Sequence, residues 1–163
     1  MKLLSIFVII IYSLTAQTKD SGTAYIKVQD GDTFTLNGEK IRLWGIDAPE
    51  LLQPFGFKCR DDLTKILAEV TIGEITRKGK SYQRTVADVK TAYNPGGYSD
   101  RIAVMILNNG CAMVDPRYAP NDRQLFQAQN NAILNGVGIW AEEDPEPPWE
   151  YRRRIKEDRK KVK

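Results

Sequence analysis

The first half of the chain alternates polar and apolar side chains with the period of two that is typical of β-strands. Four runs show this pattern: residues 23–28, 33–47, 70–76 and 83–90. Asn37-Gly38 divides the second run and favours a tight hairpin turn, and the polar segment 78–82 separates the last two. The chain is therefore expected to begin as a β-meander and to contain five strands.

Two later segments place apolar side chains at the spacing of three and four residues that is typical of amphipathic helices. The first is residues 58–70. The second is residues 121–135, which begins with a capping Asn121 or Asp122 and stops at Gly136. Residues 102–110 fit a strand and a helix equally well on pattern alone.

The chain opens with an apolar run, residues 3–14, that follows Lys2 and precedes the small residue Ala16. This arrangement is typical of a signal peptide. The run is shorter than the roughly 20 apolar residues of a bilayer-spanning helix. We therefore expect residues 1–16 to be a signal peptide and the protein to be secreted or periplasmic, with an uncleaved anchor as the alternative.

Charge divides the rest of the chain into an acidic body and a basic tail. Residues 17–151 carry nineteen acidic and fifteen basic side chains, whereas the last twelve residues carry eight basic and two acidic ones. We expect one catalytic domain over residues 17–141, followed by an extension, residues 142–163, that is first acidic and Pro-rich and then basic. The tail is either a solvated extension or a local attraction for a polyanion.

The chain contains no histidine. A Ser-His triad is therefore excluded, and a zinc site is disfavoured because histidine is the commonest ligand of transition metals. Any bound metal ion is expected to be held by oxygen atoms.

Four carboxylates cluster in two short motifs. Asp30 and Asp32 lie in DGDT, and Asp47 and Glu50 lie in DAPE. A calcium ion takes several oxygen ligands, and Asp32 and Asp47 together with one carbonyl could supply the protein's share. The structural alternative is that DGDT is only a turn and that DAPE only caps the next helix, and these residues alone favour that alternative.

Two arginines accompany the carboxylates. Arg42 precedes Asp47 by five residues, and this odd spacing places them on opposite faces of a strand unless the chain bends near Gly45. Arg84 opens the fifth predicted strand and could clamp a phosphate from a second side. Each arginine could instead form a surface ion pair.

Six ordered segments now make a larger pattern: VQDGDTF, IRLWGIDAPE, SYQRTVADV, MILNNGCAMV, PRYAPND and NGVGIW. Together they resemble the micrococcal nuclease (thermonuclease) family over residues 23–141, and PEPPWEYR resembles an extension found in bacterial members. The resemblance implies an α+β fold, a five-stranded OB-fold β-barrel with three α-helices. It also implies that residues 101–109 form the second helix.

The resemblance also implies a role for each charged residue. It places calcium on Asp32, Asp47 and the Ala48 backbone carbonyl. It makes Glu50 the general base and makes Arg42 and Arg84 the phosphate-binding residues.

The resemblance also suggests roles for two tyrosines and two cysteines. Tyr82 and Tyr118 match positions where the family places rings near the nucleotide, although either could be a half-buried core residue. Cys59 and Cys111 lie on elements that pack together in this fold, so a disulfide between them is a hypothesis. Two departures from the family pattern are Gln83, in place of a glycine, and the loop 91–100, which looks inserted.

Together these expectations describe an exported enzyme that acts as a monomer. It is expected to be a calcium-dependent endonuclease that hydrolyses DNA and RNA and, by resemblance, leaves 3′-phosphate products. A first alternative is a non-catalytic OB-fold nucleic-acid-binding module. A second is a barrel that binds a protein or saccharide and uses the carboxylates as a structural calcium site.

Overall fold

A computed structural model describes residues 24–93, Gly97 and residues 100–161. The predicted signal peptide, residues 1–16, lies outside the described residues, as does part of the loop 91–100. Within the described ranges, no helix combines the length and apolar character needed to cross a lipid bilayer.

The described residues form a mixed α+β fold. The strands are β1 (Ile26–Val28), β2 (Thr33–Leu36), β3 (Glu39–Leu43), β4 (Ile46–Asp47), β5 (Ile72–Ser81), β6 (Arg84–Thr91) and β7 (Met113–Val114). The helices are α1 (Gly56–Glu69), α2 (Ile102–Asn108), α3 (Arg123–Leu134) and α4 (Pro148–Lys161), with a 3₁₀ turn at Gly138–Ala141. The predicted α+β class is confirmed, and so is the helical state of residues 101–109.

Five strands form one sheet in the order β1-β2-β3-β6-β5, and β4 pairs separately with β7. Neighbours in the large sheet are antiparallel except β3 and β6, which are parallel. Asn37 and Gly38 both have positive φ and make the predicted turn between β2 and β3.

The predicted closed barrel with three helices is not confirmed. In the described residues, β1 and β5 are the two edges of an open five-stranded sheet. The physical reason is the bend after Leu43, where the chain leaves the large sheet and enters β4, whose partner is β7.

The prediction that residues 78–82 form the turn between β5 and β6 is wrong. β5 continues to Ser81, the register shifts between Arg77 and Gly79, and the turn itself is Tyr82-Gln83. Residues 77–80 are exposed on both faces of the hairpin, so they lack the apolar alternation by which a strand is predicted.

The core lies between the sheet and the first three helices. Its fully buried side chains come from β2, β3, β6, α1, α2 and α3, and include Phe34, Ile41, Leu63, Ile106 and Leu125. This packing fixes the start of β2, which Asp32 directly precedes, and the bend from β3 into β4, which ends at Asp47.

Part of the predicted C-terminal extension forms a fourth helix, α4. Pro148 begins it, Glu150 lies in its first turn, and Arg159, Lys160 and Lys161 lie in its last turn. These positions suit a helix because proline is preorganised for the first turn and the end charges oppose the helix dipole. Hydrophobic periodicity missed α4 because its side chains are almost all polar or exposed.

Candidate active site

Asp32, Arg42 and Asp47 form the centre of the site. One guanidinium nitrogen of Arg42, Nη1, donates to Asp32 Oδ1 at 2.9 Å, and the other, Nη2, donates to Asp47 Oδ1 at 2.7 Å. Asp32 also accepts hydrogen bonds from Thr33 Oγ1 at 2.7 Å and from the Ala48 amide at 3.0 Å. The predicted metal-binding carboxylates are therefore neighbours, with Arg42 between them.

Two glycines allow this approach. Gly45 has φ +80° and makes the bend between β3 and β4, which brings Asp47 to the same side as Arg42. The predicted bend near Gly45 is confirmed. At Gly31, a Cβ atom would lie 2.7 Å from the Cβ of Ala48, so only glycine lets the two acidic motifs pack this closely.

Burial controls the electrostatics of the pair. Asp32 is 2% exposed and Asp47 is 1% exposed. Burial raises the pKa of Asp32 to about 7, Arg42 opposes this rise, and the nearby Asp30 and Asp47 carboxylates add to it. Burial works against the charge of Arg42, but Asp32 and Asp47 outweigh it and raise the pKa of the guanidinium.

Glu50 lies at the edge of this buried pair, with its side chain 41% exposed. Its amide donates to Gln53 Oε1 at 3.2 Å, and Gln53 Nε2 donates to the Glu146 carbonyl at 2.6 Å. A Cβ at Gly56 would collide with the Glu50 carbonyl, so the start of α1 packs directly on the Glu50 backbone. The loop therefore presents a water-accessible carboxylate from a fixed backbone.

Arg84 reaches the same site from the start of β6. Its Nη1 lies 3.4 Å from Thr33 Oγ1 and its Nη2 lies 3.3 Å from Ser81 Oγ, both long contacts with neutral hydroxyls. Within the described residues, Arg84 has no carboxylate within 4.0 Å. Its guanidinium is therefore available to an anionic ligand.

Arg152 of α4 also enters the site, although it was not among the residues predicted from the sequence. Arg152 Nη2 donates to Asp47 Oδ2 at 2.6 Å, and Nη1 donates to Asp47 Oδ1 at 3.1 Å and to Glu50 Oε1 at 2.8 Å. Arg152 ends the PEPPWEYR segment, whose resemblance indicated an extension but no contact of that extension with Asp47 or Glu50.

One cleft of roughly 560 Å³ contains every residue to which a metal, catalytic or substrate role was assigned. Those residues are Asp32, Arg42, Asp47, Ala48, Glu50, Tyr82, Arg84 and Tyr118. The Tyr82 side chain is 96% exposed at the hairpin tip, and Tyr118 is 65% exposed. Neither tyrosine belongs to the core, so both rings are accessible to a ligand in the cleft.

The oxygen atoms of the cleft can be compared with the ligand set that a calcium ion takes. Among the described residues, no group of three or more Asp, Glu, Cys or His side chains is arranged to hold a metal ion. Asp32 and Asp47 are nevertheless buried together and already accept hydrogen bonds from cationic guanidinium groups. These two carboxylates and the Ala48 carbonyl fit a hard cation that takes its other oxygens from water and substrate.

Cys59 and Cys111 are two buried free thiols, and they lie outside the cleft. A hydrogen bond with Cys59, together with burial, raises the pKa of the Cys111 thiol. Cys111 Sγ also donates to Asp62 Oδ2 at 3.3 Å, and the disulfide stays a prediction.

Comparison with known proteins matches this arrangement to one family. The family model of staphylococcal nuclease homologues covers residues 40–142. A Haemophilus influenzae protein named an uncharacterized endonuclease is 34% identical over 161 residues, 94% of this chain and 86% of that protein. The Shigella flexneri micrococcal nuclease is 29% identical over 160 residues, 91% of this chain and 90% of that protein. The chain therefore belongs to the staphylococcal nuclease family.

Proposed function

We propose that this protein is an exported, calcium-dependent endonuclease that hydrolyses phosphodiester bonds of DNA and RNA. The observation that carries the proposal is the placement of Glu50 and Arg84 on one cleft with the buried Asp32, Arg42 and Asp47 group. Family membership supports the reaction class, a phosphodiester hydrolase. Export is supported by the apolar run of residues 3–14 and its flanking residues.

The carboxylates and the Ala48 carbonyl would hold the calcium ion. When bound, calcium supplies positive charge that polarises a phosphate oxygen and stabilises the transition state. Arg42 keeps Asp32 and Asp47 side by side, so its ion pairs preorganise both ligands before substrate arrives.

Glu50 and Arg84 have complementary parts in the proposed reaction. Glu50 orients a water molecule and accepts its proton, for which its partial exposure at the edge of the cleft is suitable. Arg84 binds the phosphate and offsets the negative charge that develops during attack. Arg42, the second predicted phosphate-binding residue, would contribute positive charge in the same cleft.

Two further parts of the proposal concern the substrate and the product. Tyr82 and Tyr118 offer exposed ring faces on which bases of either nucleic acid can stack without sequence preference. The 3′-phosphate product and action as a monomer rest on the family resemblance.

The test is cleavage of plasmid DNA and of RNA by the purified protein, with calcium or with a chelator, beside Glu50→Gln. Glu50→Gln is expected to lower the cleavage rate by about 10²- to 10⁴-fold because it removes the proton acceptor. Glu69→Gln, the same change at an exposed position on α1, is the matched control and should cleave at the original rate. Binding of DNA without cleavage at any calcium concentration would instead identify a non-catalytic binding module.

A further inference from the structure

Arg152 donates three hydrogen bonds to two carboxylates of the cleft. Both oxygens of the Asp47 carboxylate accept hydrogen bonds from this one guanidinium, at 2.6 and 3.1 Å. Glu50 Oε1 accepts a third bond at 2.8 Å. Asp47 Oδ1 also accepts from Arg42 at 2.7 Å, so two cationic side chains share this buried carboxylate.

The position of Arg152 is fixed by contacts of the extension around it. Arg154 pairs with Glu146 at 2.7 Å, and the Glu146 carbonyl accepts a hydrogen bond from Gln53, three residues beyond Glu50. On the other side of the cleft, the Arg117 guanidinium carbon lies 5.8 Å from the centre of the Trp149 ring. The extension therefore contacts both the loop that carries Glu50 and the Arg117 side chain.

We infer that Arg152 is a built-in competitor of the divalent cation, so that the extension sets how much calcium the site requires. The inference rests on the proposed function, because it concerns the same metal site. A cation in contact with Asp47 must use an oxygen that Arg152 now binds, and its positive charge repels a guanidinium on the same carboxylate. Cation binding therefore requires Arg152 to leave Asp47.

This competition lowers the apparent affinity for calcium. When only part of the population has Asp47 free, the measured affinity falls in proportion to that part, and removal of the competitor restores it. The coupling is reciprocal, so calcium also weakens the docking of α4. The C-terminal extension then inhibits the site at low calcium concentration, and calcium relieves this inhibition by displacing Arg152 from Asp47.

A different role for Arg152 makes a different prediction. If Arg152 only positioned Glu50 for catalysis, its loss would lower kcat and leave the calcium affinity as it was. Calcium affinity, measured directly, therefore separates a competitor from a positioning residue.

The experiment measures calcium binding by isothermal titration calorimetry on the full-length protein and on Arg152→Gln, without substrate. Arg152→Gln is expected to bind calcium about tenfold more tightly or better. Arg152→Lys keeps the charge but loses the two-pronged contact, so its affinity should lie between the two. Arg153→Gln is the matched control, because Arg153 lies beside Arg152 but pairs with Glu150 on its own helix, and it should bind calcium as the unmodified protein does.

Circular dichroism establishes that each variant is folded before its titration. Equal calcium affinity of the unmodified protein and Arg152→Gln would overturn the competition while leaving the proposed nuclease intact. Absence of calcium binding by every folded variant would overturn both the competition and the calcium dependence. A lower calcium concentration for half-maximal DNA cleavage by Arg152→Gln would support the competition independently.

Discussion

The buried Asp32 carboxylate shows how single residues of this site balance stability against function. It is enclosed by Arg42, Thr33 and the Ala48 amide, yet burial still raises its pKa to about 7. A carboxylate held in this way is poorly stabilised in its charged form unless a second cation joins it. The proposed calcium site therefore has a cost in stability that its ligand offsets.

The first consequence is a pH dependence of stability in the presence of a chelator. The folded-state pKa of Asp32, about 7, lies above its ordinary value of 3.8. Protonated Asp32 therefore favours the fold at acidic pH, and this contribution is lost as pH rises through about 7. Urea unfolding from pH 4.5 to 8 should show Asp32→Asn gaining stability relative to the unmodified protein as pH rises. Asp61→Asn, at an exposed carboxylate, is the control, and parallel curves for Asp32→Asn would contradict the prediction.

The sequence motifs indicated Asp32, Asp47 and Glu50 as candidates, and these residues line one cleft, but no motif indicated Arg152, which lines the same cleft. Asp32, Asp47 and Glu50 lie within short motifs whose chemistry is readable, and Gly45 marked the bend that gathers them. Arg152 lies 105 residues from Asp47 in a run of basic residues that looks like a solvated tail. Only the path of the extension selects Arg152 from its neighbours.

At the scale of elements, Arg101 holds three of them together. It donates to Asp88 on β6 at 2.9 Å and to Asp122, the residue that caps α3, at 2.8 Å, and it directly precedes α2. Its guanidinium carbon also lies 5.7 Å from the centre of the Trp44 ring. Hydrophobic periodicity predicted β6 and α3, and the family resemblance predicted α2, but neither carries information on the polar contacts that join these elements.

Arg101→Met is therefore expected to lower the free energy of unfolding by about 3 kcal/mol, because it leaves two poorly exposed carboxylates without their partner. Arg60→Met removes an exposed pair with Asp61 and should change the free energy of unfolding by less than about 1 kcal/mol. Urea denaturation followed by circular dichroism measures both. Similar losses for the two variants would show that the Arg101 contacts contribute no more than a surface ion pair.

The end of β5 and the helix α4 were the segments least accessible to sequence-based prediction. Residues 77–80 of β5 are exposed, and the side chains of α4 are almost all polar or exposed, so neither segment has the apolar face that reveals an element. Both nevertheless line the cleft, β5 with residues 78–81 and α4 with Arg152. Parts of this site thus lie on the segments that are hardest to predict.

The whole molecule combines an acidic body with a basic final helix. The last turn of α4 carries Arg159, Lys160 and Lys161, while the body has more acidic than basic residues. A polyanionic substrate is therefore attracted mainly to one end of the molecule.

Replacement of Arg159, Lys160 and Lys161 by Gln is expected to raise KM for DNA at low ionic strength and to have little effect at high ionic strength. The reason is that salt screens attraction between exposed charges and DNA phosphates. The check is KM measured from about 20 to about 300 mM salt, a range over which the Debye length shortens severalfold. Lys65→Gln, at an exposed lysine of α1, is the control, and an equal loss at every salt concentration would point to a defect in folding instead.

The parallel pairing of β3 with β6 also has a consequence for how quickly the protein folds. It aligns Ile41 with Thr85 and Leu43 with Ala87, so the intervening segment, which includes α1 and β5, must close as a large loop. Closing such a loop costs chain entropy before the contacts that compensate for it can form, and non-local pairing of this kind slows folding. The hairpins β2-β3 and β5-β6 can form early from local contacts, but Arg42 and Arg84 become neighbours only when this late step joins them.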